Sequence, residues 1–236
     1  MIKKSILFFL LILTCFKGVT QSPSYFKVGE KEFANIDIYS LFYDDTSDVL
    51  YAATNRGLFS YKENKFSRIK SENSLKVNSL FQLQSNHKGE IFCCNLSGRV
   101  FKIEGEALVL FYETPKDFIV QSFKYYFDED DDLIVNSFSE IRKVDKSGKE
   151  TVLLNNALFL EGGSKLTKVP LIFSEQLVNG DIYFFFKYFP NYFIYKNEIL
   201  KKRVFANSEV NTGRNFFQLG NVIYYQSVDS FKRLDG

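Results

Sequence analysis

The groups in this chain that could do chemistry are few and widely spaced. Phe127-Asp128-Glu129-Asp130-Asp131-Asp132 is the densest run of carboxylates, and spaced carboxylates are what a calcium ion requires. It lacks the glycine and the distant bidentate glutamate of a helix-loop-helix calcium loop, so a solvated turn is expected and no metal is assigned. His87 is the only histidine, which leaves neither a histidine cage for zinc nor a nucleophile with its two catalytic partners; a surface turn residue is the expectation. Cys93 and Cys94 are adjacent, a spacing that strains any bridge between them, and free cysteines pack as small buried hydrophobes. Nothing selects a carboxylate pair for glycoside hydrolysis. The expectation is no catalytic residue, no cofactor and no metal, and a segment that is not an enzyme.

Ligand binding asks for less. Asn55, Arg56 and Asn95 stand at equivalent places in two repeating units, and Asn78 opens the first strand of the second unit, with Asn73 on the same connection. Amide and guanidinium groups offer fixed donors and acceptors that suit hydroxyl-rich or anionic ligands such as glycan fragments. Asn55, Arg56, Asn78 and Asn95 form the candidate ligand-binding set. Their competing role is local, because asparagine also shapes turns.

Such a set can converge only if the elements that carry it are repeated around a common axis. Five segments share one pattern of polar turn, apolar strand and polar or small residue, centred on Tyr51, Phe92, Ile134, Tyr183 and Ile223, at steps of 41, 42, 49 and 40 residues. A period near 40 with several short strands per unit suits a four-stranded propeller blade; helical repeats of that period need amphipathic runs of ten or more residues. The predicted fold is therefore an all-β propeller of four-stranded blades, about four and a half of them, over residues 25–236, with blades near 36–69, 76–111, 119–154, 169–202 and 215–236.

Within each unit the second strand is apolar for four or five residues without alternation, so both of its faces should be packed between blades. First strands are predicted at Tyr39 to Tyr43, Asn78 to Gln82, Gln121 to Tyr125 and Pro170 to Phe173, while third and fourth strands alternate apolar and charged residues. The fifth unit ends before its fourth strand, so the ring is expected to be incomplete here, and residues 25–236 alone are expected to fold poorly.

Composition agrees with a folded, strand-rich domain: 45% of residues are hydrophobic, 25% charged, and 17% aromatic without any tryptophan. Basic and acidic side chains nearly balance at a net charge of +2, so nucleic acid is not an expected partner. Lys3 and Lys4 precede the apolar run Ile6 to Leu13, then small and polar residues, the three-part pattern of a secretory signal. A signal peptide over residues 1–20 with cleavage near Thr20-Gln21 is expected, and a periplasmic or exported location with it. Lipid attachment at Cys15 is disfavoured, because no small residue precedes it.

In the first unit, Ile38 to Asp45 and then Val49-Leu50-Tyr51-Ala52-Ala53-Thr54-Asn55-Arg56-Gly57-Leu58-Phe59-Ser60-Tyr61 resembles the two-component regulator propeller repeat. The likeness is good over 36–69, fair over 76–111 and thin after 119. It implies a periplasmic ligand-sensing propeller whose complete relatives continue into a small β-sandwich, a membrane helix and a kinase or DNA-binding output, so membrane attachment is expected only through further C-terminal parts. An exported interaction or scaffold propeller is the alternative, and a polysaccharide-active enzyme the second.

Overall fold

The computed structural model describes residues 29–72, 79–115, 123–137, 140–155, 171–186, 191–204, 216–226 and 231–234. The expected signal peptide lies outside these residues. Contacts divide the chain into a short unit up to Asn35 and a unit from Ile36 to Gly236, and every described strand belongs to the second.

Its described elements are all strands. Blade 1 holds β1 (Ile38–Asp44), β2 (Val49–Thr54), β3 (Gly57–Lys62) and β4 (Lys65–Ser71); blade 2 holds β5 (Phe81–Ser85), β6 (Ile91–Cys94), β7 (Arg99–Glu104) and β8 (Ala107–Glu113). Blade 3 comprises β9 (Lys124–Phe127), β10 (Leu133–Asn136), β11 (Glu140–Val144) and β12 (Glu150–Asn155), and blade 4 comprises β13 (Leu171–Gln176), β14 (Ile182–Phe186), β15 (Asn191–Lys196) and β16 (Ile199–Val204). Blade 5 has β17 (Phe216–Leu219), β18 (Val222–Gln226) and β19 (Phe231–Arg233) among the described residues. Strands within a blade pair antiparallel in chain order, and a short parallel contact of Lys70-Ser71 with Ala107-Leu108 joins blades 1 and 2 into one sheet.

Alternation along the second strands explains why they are apolar throughout. In β6, Ile91 and Cys93 enter the core shared with blade 1, while Phe92 and Cys94 enter the core shared with blade 3. In β14, Ile182, Phe184 and Phe186 face blade 3, and Tyr183 and Phe185 face blade 5. A period of two thus sends successive side chains into different interblade cores. The same alternation separates the two cysteines, which are free and buried. Burial pushes the Cys94 thiol up to about 12 and raises that of Cys93 as well. A maleimide at about pH 8 should therefore leave Cys93 and Cys94 unlabelled in the native protein and label both after unfolding in guanidinium, as read by peptide mass mapping.

The predicted strands and the observed ones differ mainly at the first strand of a unit. β5 begins at Phe81, later than expected, and its ladder breaks between Phe81 and Gln84, where Gln82 adopts a φ of 49°. Such a bulge re-aims the strand: Gln82 and Gln84 now both reach the Tyr125 carbonyl of blade 3. β9 likewise runs to Phe127, and β13 to Gln176.

The acidic run is a turn, as expected, but its first carboxylate is buried. Asp128 is only 6% exposed; its Oδ1 accepts the Asp130 and Asp132 N–H groups, and its Oδ2 accepts Lys143 Nζ at 2.8 Å and Tyr195 OH at 3.0 Å. Lys143 also reaches Asp132 and Glu198. Blade 3 is in this way tied to the β15–β16 hairpin of blade 4. Burial alone would lower the pKa of Lys143, but its hydrogen bonds to Asp128, Asp132 and Glu198 outweigh that and hold it well above the ordinary lysine value.

Candidate functional site

Antiparallel order places the turns between second and third strands at one end of every blade, and the other two hairpin turns at the opposite end. Asn55 and Arg56 form the first of these second-to-third turns. Thr54 Oγ1 donates to the Gly57 carbonyl at 2.8 Å and accepts the Arg56 N–H at 3.0 Å, and Gly57 has a φ of 107°, a value that favours glycine. The Asn55 amide is engaged: Nδ2 donates to Asp37 Oδ2 at 2.9 Å, and Oδ1 accepts the Asp37 N–H at 3.2 Å. Asn55 therefore fastens the turn to the segment that leads into β1. Leu80 N–H donates to the Thr54 carbonyl at 3.0 Å, which brings the lead-in of blade 2 to the same end.

Asn95 occupies the equivalent turn of blade 2. Its Oδ1 accepts the N–H groups of Ser97 and Arg99 at 3.0 and 3.1 Å, an Asx turn that fixes the loop. Arg56 is exposed, and among the described residues its guanidinium has no ion-pair partner. Asn78 and Asn73 lie outside the described residues. In blade 3 the last residue of β10, Asn136, is fully buried; it accepts Ser174 Oγ while Ser174 accepts Tyr126 OH. This relay links blades 3 and 4 and was not legible in the sequence, since its three members come from three separate strands.

At the opposite end, between blades 2 and 3, lies a cleft of about 270 Å³, near the low end of the range for small-molecule sites. Phe92, Phe111 and Phe127 line its apolar part with Leu133 and Val144, and Lys88, Asp131, Asp145 and Lys146 stand on its turns. The two turns beside it are joined directly, because Asp131 Oδ1 accepts the His87 N–H at 2.9 Å. His87 itself is an exposed turn residue. Hydrogen bonds from the Ser147 hydroxyl and the Lys149 N–H hold the Asp145 carboxyl below its usual range. Tyr112 OH donates to Glu150, and burial, followed by that carboxylate, raises the phenol's pKa.

No known protein family and no curated protein matches the chain by sequence. Solved structures do match. The extracellular domain of a hybrid two component system from B. thetaiotaomicron superposes with a TM-score of 0.58 at 14% identity, covering 84% of this chain and 28% of that one. The fold is a β-propeller. Virginiamycin B lyase from Staphylococcus aureus matches with a TM-score of 0.57 at 10% identity over 83% of this chain and 66% of that one. YCF48 from Cyanidioschyzon merolae matches with 0.57 at 9% identity over 81% and 64%. The chain spans little more than a quarter of the extracellular domain it is similar to, and at these identities the propeller architecture is what the likeness carries.

Proposed function

We propose that this propeller is the ligand-binding part of an exported, periplasmic sensor, coupled to a signalling output. The observation that carries this reading is Arg56, an exposed cation on the second-to-third turn of blade 1, to which the lead-in of blade 2 is hydrogen-bonded through Leu80. Its likeness in fold to an extracellular domain of a two component system, the local resemblance over 36–69 and the lysine-led apolar N-terminus support it. The ligand is an anionic or hydroxyl-rich glycan fragment, for which a guanidinium offers paired donors. Within the candidate set Arg56 makes the contact, Asn55 and Asn95 hold their turns, and Asn78 belongs to the adjoining connection.

Calorimetric titration with polygalacturonate and other acidic oligosaccharides tests it. Arg56→Ala should weaken binding by about 1–3 kcal/mol at an unchanged melting temperature. Asn95→Ala should instead cost about 1 kcal/mol of stability, because two turn N–H groups lose their acceptor. Wild-type affinity in the Arg56 variant would defeat the assignment.

A further inference from the structure

We propose that Tyr39, backed by Phe81, is the platform on which a pyranose ring of the ligand stacks while Arg56 holds that ligand's carboxylate. The inference rests on the glycan reading of this end of the blades and adds to it a second contact residue and a ligand class, an oligosaccharide that contains uronic acid.

Backbone hydrogen bonds bring the three side chains to one place. The Asp37 carbonyl accepts the Asn55 N–H at 3.1 Å and Asp37 Oδ2 accepts Asn55 Nδ2 at 2.9 Å, with Tyr39 two residues from that pair and Arg56 one. Leu80 N–H donates to the Thr54 carbonyl at 3.0 Å and delivers Phe81, the next residue, to the same turn.

The local backbone aims Tyr39 there. The β1–β2 register slips between Ile38 and Ser40, which face Thr54 and Ala53, so Tyr39 is the unpaired extra residue of a bulge, a device that re-aims a side chain. Ser40 Oγ accepts the Leu83 N–H at 3.0 Å and pins the strand to blade 2 directly after the bulge. From this strand it is Phe42 that packs against the core of blades 1 and 2. Tyr39 crosses instead to Phe81, with ring centroids 4.4 Å apart and planes 21° from parallel. Phe81 in turn packs against the core of blades 2 and 3, which gives the upper ring a fixed support. Tyr39 stays 45% exposed: one ring face rests on Phe81 and the other is open.

An open aromatic face by itself takes any flat apolar surface; the polar groups beside it narrow the choice. Tyrosine joins an apolar body to a polar tip. The Tyr39 hydroxyl has no hydrogen-bond partner among the described residues, unlike that of Tyr43, which donates to Asp48, and the Arg56 guanidinium is uncommitted as well. A pyranose presents C–H groups on its face and hydroxyls at its edge, and a uronic acid adds the carboxylate that a guanidinium pairs with through two donors. An aromatic carboxylate shares the flat face and the charge but lacks the edge hydroxyls. Because the turn and the bulge are held by their own hydrogen bonds, the site is largely formed before the ligand arrives.

Titration of the full chain by calorimetry with trigalacturonate, its neutral counterpart galactotriose, and phenylacetate tests the proposal. Trigalacturonate should bind saturably, and the other two roughly tenfold more weakly or worse. Tyr39→Ala should lose about tenfold in affinity for trigalacturonate, whereas Tyr39→Phe, which keeps the ring, should stay within about threefold. The chain has no tryptophan, so its near-UV difference spectrum reports tyrosine: saturation with trigalacturonate should perturb the spectrum of the wild type and much less that of Tyr39→Phe, a response that a purely structural Tyr39 would not give. Wild-type affinity in Tyr39→Ala beside a weakened Arg56→Ala overturns the platform and leaves the Arg56 reading standing. Galactotriose bound as tightly as trigalacturonate, with a loss in Tyr39→Ala and none in Arg56→Ala, defeats the Arg56 reading and the uronic-acid assignment while Tyr39 remains the platform. Phenylacetate bound as tightly as trigalacturonate, or no saturable binding of either oligosaccharide, overturns the proposal.

Discussion

Phe184→Ala should destabilise the protein by about 3–5 kcal/mol, the range for emptying the site of a fully enclosed phenyl ring. Phe184 is fully buried at the middle of β14, between Ser174 on β13 and Phe193 on β15. Its side chain enters the core shared with blade 3, edge-on to Tyr126 at 6.5 Å, with Ile134 and Ile141 in the same cluster. Removing the phenyl forfeits its transfer energy and leaves a cavity that rigid sheets on both sides cannot close. Urea unfolding followed by far-UV circular dichroism gives the value. Val178→Ala, at an 87% exposed turn position, serves as control and should stay within about 0.5 kcal/mol. A Phe184 variant as stable as that control would mean that blades 3 and 4 are not packed through β14.

Lys143→Ala should cost about 3 kcal/mol. The side chain is 16% exposed, and its ammonium neutralises Asp128 and Asp132, whose side chains are 6% and 13% exposed. Truncation strands two largely buried carboxylates and also cuts the link to Glu198 of blade 4. Because the lysine pKa is raised in the folded state, the contribution is fully present below the unfolded value of about 10.4 and is lost only at higher pH. The penalty should then be flat from about pH 6 to about pH 9. Asp128→Asn keeps an oxygen acceptor for the turn while removing the charge, so in the Lys143→Ala background it should recover part of the loss. A double variant in which the two penalties simply add would show that the pair is not coupled.

Legibility in the sequence follows the range of the interaction. Hairpin partners are a few residues apart, so turn chemistry and the repeated apolar pattern were enough to locate the second strands: the five centres Tyr51, Phe92, Ile134, Tyr183 and Ile223 fall within β2, β6, β10, β14 and β18. The first strands are placed less well because each must meet a neighbouring blade. The bulge at Gln82 is shaped by the Tyr125 carbonyl 43 residues away, which no local pattern encodes. For the candidate site, the sequence located the turns of Asn55, Arg56 and Asn95, yet it could not say which side chains would be occupied. Asn55 and Asp37 are 18 residues apart, and only folding brings them together.

The amino-acid sequence by itself determined the period, the all-β class, the four-stranded unit and the two-sided burial of the second strands, since these rest on alternation and turn residues that act over a few positions. The tertiary structure decided which face meets which. It joined Lys143 of blade 3 to Glu198 of blade 4, set Phe92 of blade 2 against Phe127 of blade 3 beside one cleft, and left Arg56 exposed at the other end of the blades. Those outcomes depend on how adjacent blades stack, so side chains some 40 positions apart become neighbours only once the sheets have packed.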